Sequence, residues 1–279
     1  MNRSKPLAAV LTSKEDIDLL ANQSKRILDV KESRRASLLK NHEDRMCSRA
    51  AHALKRLMLT IMDSQSGISG GRIKPQEWRF GHTIYGKPLV HPSCGSIYHF
   101  SISHTRGGVA CAVSPDIGVS IGIDIERCFR VPLGNQVESH VFTSDEIMNA
   151  SNLHDEAKAL HHSVLWTLKE AWLKAVGLGL NLPMNKVGFI GQEIRIEKPH
   201  VPYWISSEAR ILDLVACKGY VSSCIDTKIQ AQRKSKLGTM SSIDYEHNNG
   251  TILLMPAEIT TLSLNEILER SGFNNQTIL

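Results

Sequence analysis

The order of apolar and polar positions predicts a chain of mixed helices and strands. Residues 7–11 are apolar and read as a strand entering the fold. Ser13 is placed to cap a short helix that begins with Glu15 and Asp16. Asn41 precedes a long helical pattern to about Met62, with Asp44 favouring its N-terminus. In it Met46, Ala50, Leu54, Leu57 and Ile61 recur on one face. Ser64–Gly71 reads as a loop. Short strand-like runs follow at Glu77–Phe80, Thr83–Tyr85, Ile97–Ile102 and Val109–Ser114. Pro115-Asp116 marks a turn, and Ile117–Glu126 is rich enough in β-branched residues for a strand. Thr143 or Ser144 caps a short helix. A long helix then runs from about His154 to Val176 and stops at Gly177. Its expected buried stripe is Ala157, Leu160, Val164, Leu168, Ala171 and Ala175. Strands are expected near Val187–Ile196, Tyr203–Ile205, Ile211–Ala216 and Tyr220–Ile225. Structure resumes with a strand at Ile259–Leu262 and a helix at Asn265–Arg270.

Helices and strands follow one another without strict alternation, which points to an α+β fold. The turn near Pro115 divides the chain into an N-terminal half, 1–115, and a C-terminal half, 116–226. Residues 227–256 are polar and basic and read as an insertion or loop. Residues 257–279 carry the last strand and helix, packing on the fold.

Composition narrows the classes. Of the 279 residues, 42% are hydrophobic and 22% charged, which is a globular balance. No run of about eighteen apolar residues is present, so no membrane-spanning helix is expected. The apolar stretch near the start, Pro6–Leu11, is too short for the core of a secretion signal. The six cysteines are scattered, without metal-site spacing, as in a reducing, cytoplasmic compartment. None of the 12 histidines forms H-E-x-x-H or H-x-x-x-H, which argues against zinc catalysis.

The net charge is +5, and its placement matters more than its sum. Residues 31–56 hold Lys31, Arg34, Arg35, Lys40, Arg45, Arg49, Lys55 and Arg56 against Glu32, Glu43 and Asp44. Such a stretch fits an anionic partner. A nucleic-acid-binding module would interleave stacking aromatics among the cations, and none lies between residues 31 and 56.

Four short patterns carry candidate chemistry. In Asp124-Ile125-Glu126, strand alternation turns both carboxylates to one face and Ile123 and Ile125 to the other. Two neighbouring carboxylates repel, and burying them calls for a cation, Mg²⁺ being the match for hard oxygen ligands beside phosphate. A solvated strand end with two harmless acids is the plain alternative. In W-T-L-K-E-A-W-L-K, Trp166, Glu170 and Lys174 form one stripe beside the apolar face. Glu170 and Lys174 read either as a surface i,i+4 salt bridge or as a metal ligand or base beside a phosphate-binding cation. Ser103-His104 ends a strand, as a turn or a phosphate contact. In Gly86-Lys87-Pro88, the proline restrains the backbone beside a cation. Gly177-Leu-Gly179 follows a helix and is read as its cap, not as a dinucleotide fingerprint.

The order of the pieces is more specific than any one of them. GKP, FSISHT, GVACAVS, IGVSIGIDIE, VFTSDE and WTLKEAWLKAVGLGL together resemble the phosphopantetheinyl transferases of the surfactin-synthetase-activating (Sfp) type. The resemblance spans about residues 7–225 and resumes at PAEITTLSLNEIL. It implies two similar α/β halves forming a pseudo-dimer in one chain, with coenzyme A and Mg²⁺, or Mn²⁺, between them. It implies transfer of the 4'-phosphopantetheine arm of coenzyme A to a serine of an apo acyl or peptidyl carrier domain, releasing adenosine 3',5'-bisphosphate. By the same resemblance Asp124, Glu126 and Glu170 hold the metal. Lys87, Pro88, Ser103 and His104 contact the nucleotide, with His104 near the 3'-phosphate. Arg35, Ser48 and Lys31 match further cofactor positions, although the run KESRR is mixed where relatives are basic. Lys174 serves the α-phosphate or the leaving group, Lys169 is assigned to substrate binding, and Glu170 is metal ligand, serine base or both. A monomer is expected, with no nucleic-acid or membrane partner. A metal-dependent phosphodiesterase using water as nucleophile and a carrier-binding relative without catalysis are the competing readings.

Overall fold

Strand β1 (Leu7–Leu11) is buried on both sides and anchors the first sheet. A computed structural model of the chain describes residues 5–67, 73–96, 98–115, 119–190, 193–196, 205–217, 220–229 and 260–273. After β1 come helices α1 (Lys14–Gln23), α2 (Val30–Ser37) and α3 (His42–Ser66). Each begins where a side chain can satisfy the free amides of a first turn. Ser13 accepts from the Asp16 amide, Asp29 forms a capping box with Glu32, and Asn41 accepts from the Glu43 and Asp44 amides. Helix α3 ends on Gly67 at φ +65°, a left-handed cap suited to glycine.

A small hairpin follows, β2 (Phe80–His82) against β3 (Pro88–Val90). Thr83–Tyr85, expected as a strand, lies in its turn. The Thr83 amide donates to the Lys87 carbonyl and the Gly86 amide to the Thr83 carbonyl, with Gly86 at φ +85°. Glycine and proline chemistry here overrides the β-branched character of Thr83 and Ile84. Strands β4 (His99–Thr105) and β5 (Gly108–Ser114) form a hairpin, and β5 pairs antiparallel with β1. The turn at Pro115-Asp116 is only half visible, Asp116 lying outside the described residues.

The C-terminal half opens with β6 (Val119–Arg127), then α4 (Asn135–Val141), α5 (Ser144–Ala150) and α6 (Asp155–Val176). A hairpin, β7 (Val187–Ile190) with β8 (Glu193–Ile196), precedes the long strands β9 (Ile205–Cys217) and β10 (Tyr220–Ile229). One strand thus joins Ile205, the end of one expected run, to the other at Ile211–Ala216, with Tyr203 and Trp204 outside the described residues. Strands β6, β10 and β9 make an antiparallel sheet in that order. Most of the polar stretch 227–256 lies outside the described residues. The last elements, β11 (Thr260–Thr261) and α7 (Leu264–Arg270), return to the first half. There β11 runs parallel to β1, and Leu264, Ile267 and Leu268 enter its core.

Three apolar clusters form among the described residues. In the first, Ala50, Leu54, Leu57 and Ile61 of α3 pack with β1, β5 and α7. In the second, Leu165, Leu168, Trp172 and Val176 of α6 pack with Phe142 and Phe189. Between the sheets, Ile121, Ile123 and Ile125 of β6 meet Ala8, Ala110 and Ala112. The small alanines let β6 lie flat on β1 and β5, and they turn the even-numbered residues of β6 toward α6. The expected stripe of α6 holds only toward its C-terminal end. Leu168, Ala171 and Ala175 are buried, but Leu160 is 45% exposed. Its N-terminal turns instead bury Ala159, His162 and Ser163 against the segment after β6, where Ser163 Oγ accepts from the Phe129 amide.

Candidate functional site

The site begins with a missing side chain. Gly122 lies in β6 beneath α6, where a Cβ would stand 1.9 Å from the Ala171 carbonyl oxygen and 2.5 Å from the Ala175 nitrogen. Only glycine permits that approach. It sets Glu170 and Lys174 of α6 beside Asp124 and Glu126 of β6. Gly122 was not singled out from sequence, although a glycine inside a strand pattern is itself a signal of close backbone approach.

Asp124 is 2% exposed. Its Oδ1 accepts from Ser103 Oγ at 2.7 Å and from Lys174 Nζ at 2.5 Å, and the same Nζ lies 2.8 Å from Ser103 Oγ. Three elements, β4, β6 and α6, therefore meet in one bonded triangle. Lys174 pairs with Asp124 instead of closing a surface bridge to Glu170. Burial, then the charge of Asp124, pushes the Glu126 carboxyl up to about 7, against a hydrogen bond from Thr105. Burial and the Asp124 charge raise Glu170 as well, with Lys174 opposing. These are the shifts expected where carboxylates outnumber their cations. Trp166, in the same stripe, packs edge-on against Phe129 and serves the frame.

Among the described residues no group of three or more His, Cys, Asp and Glu side chains is gathered in metal-holding geometry. The expected triad is brought to one place without forming a closed cage. Its donor chemistry still fits a hard divalent ion: all three side chains are carboxylates, and burial, then the Asp124 charge, pushes Glu126 and Glu170 toward protonation.

A cavity of about 270 Å³ opens beside the triangle, bordered by Tyr85, Lys87, Pro88, Phe100, Glu170 and Lys174. Tyr85, missed in the sequence, thus belongs to the wall. His104 follows Ser103 on the outer part of β4; the surrounding protein, then His52 and Lys174, lower its pKa. Lys87 lines the cavity with its stem, but its Nζ donates to the Ala175 carbonyl at 2.6 Å and to Ser120 Oγ. Burial pulls its pKa down to about 7.

Other residues lie elsewhere. Arg35 and Lys31 are exposed on α2 and Ser48 is buried on α3, and none of them borders the cavity. Lys169, assigned to substrate binding, is 1% exposed inside the second core. It pairs with Glu146 at 2.8 Å and donates to the Met184 and Val187 carbonyls, about 100° around the helix from Glu170. The basic stretch 31–56 also shrinks. Lys55 and Arg56 are 3% and 0% exposed, held by Glu32 at 2.5 and 2.7 Å, with Asp29 at 3.0 Å from Arg56.

Comparison with known proteins bears on this geometry. Residues 120–210 match the model of the 4'-phosphopantetheinyl transferase superfamily. The resemblance drawn from the motifs is thereby shown for the stretch that holds Asp124, Glu126, Lys169, Glu170 and Lys174. The chain is 33% identical over 106 residues to the 4'-phosphopantetheinyl transferase gsp of Aneurinibacillus migulanus, covering 38% of this chain and 41% of that one. It is 32% identical over 136 residues to the 4'-phosphopantetheinyl transferase Sfp of Bacillus subtilis (strain 168), covering 46% and 57%. A more distant relative is the L-aminoadipate-semialdehyde dehydrogenase-phosphopantetheinyl transferase of Rattus norvegicus, 26% identical over 148 residues, or 51% and 47%. The chain thus spans about half the length of the relatives it matches. No helix among the described residues is long and apolar enough to cross a membrane.

Proposed function

We propose that the protein transfers the 4'-phosphopantetheine arm of coenzyme A to a serine of an apo acyl or peptidyl carrier domain, with release of adenosine 3',5'-bisphosphate. The observation that carries this reading is the Ser103–Asp124–Lys174 triangle, which opens on a cavity and lies largely within the stretch matched to the superfamily. The two cores on either side of β6 are consistent with the pseudo-dimer that the resemblance implies.

Asp124, Glu126 and Glu170 would hold Mg²⁺ or Mn²⁺. The metal supplies charge neutralisation for a pyrophosphate and helps align it. The chain's own groups do the rest. Phosphoryl-type transfer depends mainly on position and charge. Lys174 reaches the cavity from the triangle, where its ammonium faces the expected phosphate and can protonate or neutralise the leaving group. Glu170, whose pKa is raised by burial, is suited to take the proton of the attacking serine. Pro88, Ser103 and His104 border the nucleotide, with only the stem of Lys87 beside them, while Arg35 and the buried Ser48 lie away from the cavity. The exposed cations of α2 favour an acidic carrier. We assign the protein to the cytoplasm, as a monomer.

The test mixes protein, coenzyme A, Mg²⁺ and an apo carrier domain and reads the carrier's intact mass. A phosphopantetheine adduct that forms only with the metal present is the expected result. No adduct on any of several carriers would overturn the proposal.

A further inference from the structure

Lys87 joins three elements that the sequence keeps far apart. It stands just before β3, in the hairpin that walls the cavity. Its Nζ bonds Ser120 Oγ on β6, a side chain with no exposed surface, and the Ala175 carbonyl on α6. That carbonyl belongs to the last turn of α6, whose carbonyls lack partners within the helix and attract a cation. Ala175 directly follows Lys174, and Ser120 shares the α6-facing side of β6 with Asp124. The lysine stem fills the space beside Gly177, where a Cβ would stand 2.7 Å from Lys87 Cδ. The same side chain borders a second cavity of about 350 Å³ lined by Ile84, Leu89, Tyr98 and Val176. The ammonium is therefore engaged by protein partners between the two cavities.

We propose that Lys87 is a positioning residue: by tying Ser120 of β6 to the end of α6 it holds Lys174 and Glu170 in register over Asp124 and fixes the hairpin as the cavity wall. The inference rests on the transferase reading above. It differs from a direct nucleotide contact, because a ligand-binding lysine and a positioning lysine lose different kinetic constants.

The experiment measures steady-state transfer and amide hydrogen exchange for Lys87→Met, Ser120→Ala and the double variant. Ser120→Ala keeps the lysine and removes only its buried partner. Each single change is expected to lower kcat about ten-fold while the KM for coenzyme A stays within about two-fold, and the double variant is expected to match Lys87→Met. Exchange in the last turn of α6, without coenzyme A, should speed up in all three. A rise of about ten-fold in KM with unchanged kcat for Lys87→Met, and wild-type behaviour of Ser120→Ala, would overturn the proposal. Should the wild-type protein transfer nothing, the transferase reading fails by itself. The exchange arm then decides whether Lys87 holds α6, and unchanged exchange overturns that too.

Discussion

Substituting Gly122 by alanine tests the close contact on which the site is built. The added Cβ would meet the Ala171 carbonyl oxygen at 1.9 Å, so α6 must back away by about 1.5 Å to regain ordinary contact. The clashing atoms are backbone, and no rotamer change relieves them. Alanine for glycine at an unstrained site would stabilise by about 0.4–1 kcal/mol through the unfolded chain. Overpacking costs about 1–3 kcal/mol and wins. Net of that gain, and at roughly 2–4 °C per kcal/mol for a domain of this size, Tm should fall by up to about 10 °C. That retreat also moves Lys174 and Glu170 from Asp124, for which a loss of about a hundred-fold in kcat is expected. Thermal unfolding followed by circular dichroism and the carrier mass assay measure both. A Gly122→Ala protein with wild-type Tm and kcat would refute the packing of α6 on β6 described above.

Three further outcomes follow from particular contacts. Asp124→Ala should abolish carrier modification while leaving the far-ultraviolet spectrum native, and undiminished turnover would dismiss Asp124 from the site. Lys169→Met leaves Glu146 buried without its cation; unfolding free energy should fall by about 3–5 kcal/mol with the KM for coenzyme A unchanged, and a raised KM with native stability would return Lys169 to substrate binding. Glu32→Gln should cost about 3–5 kcal/mol at pH 7, read from urea unfolding, because Lys55 and Arg56 lose their buried partner. His52, Lys55 and Arg56 outweigh burial and hold the Glu32 carboxyl well below its usual 4.5. Its stabilisation is therefore complete above the unfolded value and lost as pH falls below it. The wild type should lose more stability than Glu32→Gln between pH 6 and pH 3, and equal losses would contradict the ion cluster.

Local order in this protein is written in short sequence devices. Ser13, Asn41, Thr143 and Gly177 end helices where their side chains or left-handed backbone satisfy free groups, a matter of a few neighbouring residues. The facing of Asp124 and Glu126 against Ile123 and Ile125 followed from strand alternation alone. The partnership of Ser103, Asp124 and Lys174 did not, since it joins residues far apart in sequence. Lys169 and Lys174 illustrate the limit. Both are cations five residues apart on α6, and helix geometry shows that they point to different sides. It does not show that one side is filled by Glu146 and the Met184 and Val187 carbonyls and the other by Asp124 and a cavity. The eight cations of 31–56 were legible as a basic stretch, yet burial of Lys55 and Arg56 depended on Glu32 folding back from α2. Periodicity and capping are properties of neighbours, so the sequence determined the order of the motifs, most strands and the helices other than α2 and α4. Which carboxylate meets which lysine is set by how closely α6 lies on β6, and only the tertiary structure decided that.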